Sequence, residues 1–156
     1  MTLSRQRALT LRAEANPTCA ECVSRPGGPE VYTVTRFRDN ALLAWDIDLA
    51  VEIWSDGRIP LQVPDDVLNN ILEVNGTTPE HIDHVDLGFP GIACAVDWTP
   101  HGNPVMGLID GSHRAARARR DRVPYFAYFL TESESVRCQG TVGAHLCAHL
   151  ELLLKK

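Results

Sequence analysis

The chain has 156 residues, of which 44% are apolar and 22% charged, enough material for one ordinary globular domain with a core. A formal net charge of −5 argues against a whole surface built for polyanions, so nucleic acid is disfavoured as a partner unless a local basic patch binds it. No apolar run approaches the ~20 residues of a membrane helix and the N-terminus lacks the apolar core of a signal peptide, which leads to the expectation of a cytoplasmic protein without a membrane partner.

From the N-terminus, Thr2 to Ala15 predicts a polar helix whose Leu3, Leu9 and Leu11 are too sparse for a strong buried face. Cys19-Ala-Glu-Cys22 follows, and then Pro26-Gly-Gly-Pro29. Residues 1–29 therefore read as an N-terminal segment ending in a linker, 30–135 as the main domain and 136–156 as a tail. Five cysteines are an odd number for a fully paired secreted framework, and in a reducing compartment they are thiols or metal ligands. The Cys-x-x-Cys spacing suits half of a zinc site, two thiolates of one turn sharing a tetrahedral ion, against the plainer reading of two thiols. Cys138, His145, Cys147 and His149 are candidates for the other half, although their spacing follows no standard pattern.

In the main domain, Val31 to Thr35 alternates as a first strand. Asp46 to Trp54 fits a helix capped by Asp46 or Asp48 and stopped by Asp56-Gly57, with Trp45, Leu49, Ile53 and Trp54 in the core. Arg58 to Pro64 carries two prolines and reads as an edge strand. Asp65-Asp66 opens an amphipathic helix ending near Asn75-Gly76, and Thr77-Thr-Pro-Glu80 predicts a capping box for a short helix through His84. His81 and His84 could share one helical face as metal ligands, but no third ligand is close in sequence, and a solvent-facing pair is expected. Ile92 to Trp98 and Val105 to Ile109 predict an antiparallel hairpin with Cys94 as a core thiol. The run Glu132-Ser-Glu-Ser135 could cap a further turn, beyond which lies a leucine-rich end, Leu150 to Leu154.

The chemistry concentrates where that hairpin ends. Val105 to Ile109 reads as a strand, Asp110-Gly111 as a tight turn, Ser112 as the cap of an alanine- and arginine-rich helix, and Val123 to Leu130 as another strand. The free N–H groups of such a helix start favour an anion, as do the imidazole of His113 and the guanidinium of Arg114. Arg114, Arg117 and Arg120 recur at threes and could form a basic stripe beside the turn. At Asp110-Gly111-Ser112-His113-Arg114 the sequence resembles the ParB/sulfiredoxin-like superfamily over roughly Ile92 to Leu130. The resemblance implies a strand-to-helix turn that holds nucleotide phosphates, within a family of sulfiredoxins, free serine kinases and the N-terminal domains of ParB partition proteins. Ser112 stands where sulfiredoxins carry their reactive Cys, a departure from the pattern for sulfinic-acid repair.

The order of strands and short helices predicts an α+β fold, a small mixed β-sheet with packed helices, ParB/sulfiredoxin-like. Three functional classes follow. The first is a nucleotide-dependent enzyme using ATP or CTP with magnesium, transferring phosphate to a small molecule or a peptide. Gly111, Ser112, His113, Arg114 and Arg117 would bind phosphate, and Asp110, His113, Asp46, Asp48 and Glu52 are its candidates for catalysis and for holding the metal. The second is a ParB-like nucleic-acid module. The third is a regulatory protein that binds a nucleotide without turning it over.

Overall fold

The structure is a computed structural model that describes residues 4–26, 30–36 and 39–139. The hairpin expected before the Asp110-Gly111 turn is its centre. Strands β4 (Gly91–Trp98) and β5 (Pro104–Asp110) pair antiparallel, and helix α6 (Ser112–Asp121) then returns the chain to β6 (Phe126–Phe129), parallel to β4 on its other side. The two-residue strand β3 (Leu61–Gln62) adds antiparallel to β6, giving a four-stranded mixed sheet of order β3-β6-β4-β5. Pro60 and Pro64 flank β3 and withhold N–H donors, as an edge strand tolerates.

Side-chain alternation along β4 and β5 divides the core. Ile92, Cys94, Val96 and Ile109 face one cluster, which includes Trp45, Ile47 and Cys138. Ala93 and Leu108 face the other, with Leu68, Ile71, Ala115, Ala118 and Ala127. The first face is covered by the antiparallel pair β1 (Val31–Thr35) and β2 (Leu42–Asp46) together with α3 (Ile47–Trp54). Asp46 caps α3, its carboxylate accepting from Leu49 N at 3.0 Å. The second face is covered by α4 (Asp65–Val74) and α6. The alanines of α6, β4 and β6 let that helix approach the sheet closely.

Four helices complete the described elements. Helix α1 (Arg5–Ala15) is capped by Ser4 and buries Leu9; α2 (Ala20–Val23) follows it after a short turn; α5 (Pro79–Ile82) precedes β4. Pro79 opens α5 as expected, but Thr78 makes no side-chain cap bond, so the predicted capping box does not form there. A capping box does form further on. Thr131 Oγ1 accepts from Glu134 N and Glu134 accepts from Thr131 N, starting a helix, α7, at residues 132–139. His145, Cys147, His149 and residues 150–154 lie outside the described residues. No helix among the described residues is long and apolar enough to cross a membrane.

Candidate functional site

Cys19 ends the turn before α2 and Cys22 lies within it, fully buried. Proline at the first position of α5 fixes the short helix that carries His81, and the turn after it carries His84, so both rings face the cysteines. His81 Nδ1 lies 3.5 Å from Cys19 Sγ and 3.3 Å from Cys22 Sγ, and His84 Nδ1 lies 3.6 Å from Cys22 Sγ. All four ligand atoms fall within 4.8 Å of one another, a group able to hold a metal ion. The single in-plane lone pair or proton of His81 Nδ1 cannot serve two sulfurs at once, whereas an ion between them serves all four groups. Metal–sulfur and metal–nitrogen bonds of ordinary zinc length imply sulfur-to-nitrogen edges of about 3.6 Å in a tetrahedron, close to the spacing of these three pairs.

This arrangement corrects two sequence expectations. His81 is buried and faces the thiols instead of solvent, because α5 docks under the N-terminal segment. Cys138 is no partner of Cys19 and Cys22: it is buried in the core cluster of Trp45 and Cys94, on the first face of the sheet. Burial, then the charge of Arg12, pushes His81 down to about 4, so its imidazole is neutral near pH 7, the form that ligates. Burial and the adjacent Cys19 push Cys22 up to about 11 against the pull of Arg12, so without an ion it is a thiol.

Beside this group lies a cavity of about 450 Å³. One wall is the turn from Asp110 to Arg114. Gly111 takes the cap position of α6 with φ +99°, and no side chain caps the helix. Ser112 is therefore the first helical residue and not the cap, and its hydroxyl accepts from Asn75 Nδ2 at 2.8 Å. The N–H groups of Ser112, His113 and Arg114 precede the first backbone bond of the helix, Ala115 N to Gly111 O. His113 Nε2 accepts from Thr78 N at 3.0 Å, which places its proton on Nδ1, and its ring meets His81 edge-on at 4.6 Å.

No family model, curated protein or solved structure matches the chain. Its candidate site stands on its own geometry.

Arg114 is buried and donates to Asp110 Oδ2 at 2.9 Å, with Arg5 also reaching that oxygen at 3.4 Å. Burial would raise the Asp110 pKa, but Arg114 and Arg5 outweigh it and hold the carboxyl below its usual range. Glu30 accepts from Arg5 and from Arg25. The cavity is thus lined by four guanidinium groups, Arg5, Arg12, Arg25 and Arg114, and by two carboxylates, a surplus of two positive charges. The buried Nε atoms of Arg12 and Arg114 have no hydrogen-bond partner.

Other sequence candidates lie elsewhere. Asp46, Asp48 and Glu52 line a separate groove with Leu49 and Arg137, Asp46 serving as a helix cap and Asp48 accepting from Glu30 N at 3.3 Å. Arg117 turns away from the cavity to donate to the carbonyls of Asp83 and Val85, and Arg120 pairs with Asp83 and Asp121. With Arg114 buried on Asp110, the expected basic stripe is consumed by internal partners. Sequence reasoning did not find Arg5, Arg12 and Arg25, because it read α1 as a helix with little to bury. The positions of Arg5 and Arg12, seven apart on one helix face, were the available signal.

Proposed function

We propose that the protein binds a small phosphate-bearing ligand of the nucleotide class in this cavity, beside a structural zinc ion held by Cys19, Cys22, His81 and His84. The observation that carries the ligand reading is the uncapped start of α6 opening on a wall with two surplus positive charges and unpartnered buried guanidinium nitrogens. Backbone N–H groups and helix dipole favour the same anion as the arginines do. The resemblance at Asp110 to Arg114 agrees with it, since the corresponding turn in ParB/sulfiredoxin-like proteins holds phosphates. Both cavity carboxylates are already paired with arginine, so magnesium would have to displace a guanidinium. The geometry therefore supports binding more directly than phosphoryl transfer.

Two thiolates and two imidazoles with no open position suit a zinc ion that holds structure. Leu9 and Cys22 are the buried apolar side chains among residues 4–26, and the burial of Leu9 contributes only about 2 kcal/mol. A structural zinc ion contributes roughly 10–16 kcal/mol in comparable small sites, ample to fix such a segment.

Titration calorimetry with ATP, CTP and inorganic phosphate, with and without magnesium, tests the ligand reading. Ser112→Asp places a carboxylate at the uncapped helix start. It is expected to abolish binding while raising stability by about 0.3–1 kcal/mol through the helix dipole. Undiminished binding by that variant, or no binding by the parent, refutes the reading; product from labelled ATP or CTP would restore the enzyme class. For the ion, protein purified without chelator is expected to contain one equivalent of zinc, and chelation to lower its melting temperature. Metal-free protein of the same stability removes the zinc.

A further inference from the structure

We infer that the metal ion and the anion bind cooperatively, because the ion fixes the segment that supplies three of the four cavity arginines. This rests on the ligand reading above and adds its regulation. Arg5 and Arg12 lie on α1, and Arg25 follows α2 by two residues, while Arg114 alone belongs to the sheet-and-helix body. Cys19 and Cys22 sit between Arg12 and Arg25 in sequence; His81 and His84 belong to the body, on α5 and in the turn after it. The four ligands therefore join the arginine-bearing segment to the wall that carries the signature.

Apart from the ligands, that segment is tied down mainly through its own arginines. Arg5 reaches Glu30 and Asp110, Arg25 reaches Glu30, and Leu9 is its one buried aliphatic side chain. Three guanidinium groups gathered around one cavity repel each other unless carboxylates or an anion intervene. Glu30 and Asp110 offset part of that repulsion but leave a surplus of positive charge, so without the ion the segment must overcome the remainder with little apolar burial; with it, the arginines are already placed. The same linkage runs backwards, since an anion that neutralises the arginines favours the closed segment and hence the assembled ligand set.

The contact between the two sites is direct. His81 both faces the thiols and packs edge-on against His113, the second residue of α6, and it lines the cavity. Arg12 lines the cavity and bears electrostatically on Cys22. Two thiolates neutralise a divalent cation, so the ion acts on the anion through the position of the arginines.

The test measures inorganic phosphate binding by titration calorimetry on zinc-loaded protein, on protein stripped with a chelator, and on stripped protein reloaded with cobalt(II), whose visible bands report tetrahedral thiolate ligation. Loaded and reloaded protein are expected to bind phosphate at least tenfold more tightly than stripped protein. Phosphate should slow zinc transfer to a chromophoric chelator in return. Equal phosphate affinity in all three forms overturns the coupling while leaving the ligand reading intact; no binding by any form overturns both. Near-ultraviolet circular dichroism of the stripped protein reports Trp45, buried in the cluster on the far face of the sheet. Its loss would mean that the ion supports the whole fold and not this wall, which also overturns the inference. His84→Asn, keeping three ligands, is expected to give an intermediate phosphate affinity with the far core unchanged.

Discussion

Gly111 has a φ of +99°, and a Cβ there would lie 2.2 Å from Tyr125 Oη; a Cβ on Gly91 would lie 2.1 Å from the same atom. The two glycines make room for one hydroxyl, which donates to Gly111 O at 3.0 Å and ties the signature turn to the start of β6. Left-handed backbone and a blocked volume act together on any side chain placed here. Gly111→Ala is expected to cost about 2–4 kcal/mol in a urea titration. Adding Tyr125→Phe should recover part of that loss, because the clash goes while the backbone strain stays. The buried pair of Asp110 and Arg114 behaves differently. Arg114→Met leaves a buried carboxylate with only Arg5 and is expected to cost about 3–5 kcal/mol, whereas Asp110→Leu combined with Arg114→Met should restore most of it. A double variant no more stable than Arg114→Met alone would contradict that account.

Helix α7 begins with the Thr131–Glu134 capping box, and Arg58 grips the same glutamate through two bonds, 2.9 and 2.7 Å long. The hydrogen bonds from Arg58 pull Glu134 down to about 2. A carboxyl depressed on folding stabilises the native state above its unfolded value near 4.3, and that contribution is lost as the pH falls toward 2. Glu134→Gln should therefore lower the melting temperature at pH 7, and the gap from the parent protein should close between about pH 4.5 and 2. A gap constant over that range would exclude the charge on Glu134 as its origin. The elements legible in the sequence were those whose signals are local. Asp46 as a cap, the Ile92 to Ile109 hairpin and the helix after Gly111 each follow from residues within a few positions of one another. Ser112 was misread because the glycine of an Asp-Gly turn can itself occupy the cap position. The four residues able to hold a metal ion were legible only as two separate pairs, since no periodicity connects Cys22 with His81 across 59 positions. Their meeting is decided by how α5 docks, which is tertiary.

Both faces of the sheet are covered, and β4 contributes to both clusters, so neither core can be lost without exposing the other. A single cooperative unfolding transition is expected for residues 30–139, with fluorescence and far-ultraviolet circular dichroism coincident. The face packed by α6 is built from alanines and has no room to spare. Ala118→Leu, fully buried there, should cost about 1–3 kcal/mol by overpacking, measured by thermal melting. A variant of unchanged stability would mean that α6 stands further from the sheet than the structure shows.

The distance along the chain between the two ligand pairs also fixes an order of events during synthesis. The cysteines leave the ribosome long before the histidines, with three strands and two helices made in between. Until α5 emerges, an ion can meet only half of its ligands and the thiols remain open to oxidation. With the ion proposed above, the nascent chain therefore passes through an interval in which thiol-protecting conditions matter more than metal supply, and the requirement reverses once residue 84 is out.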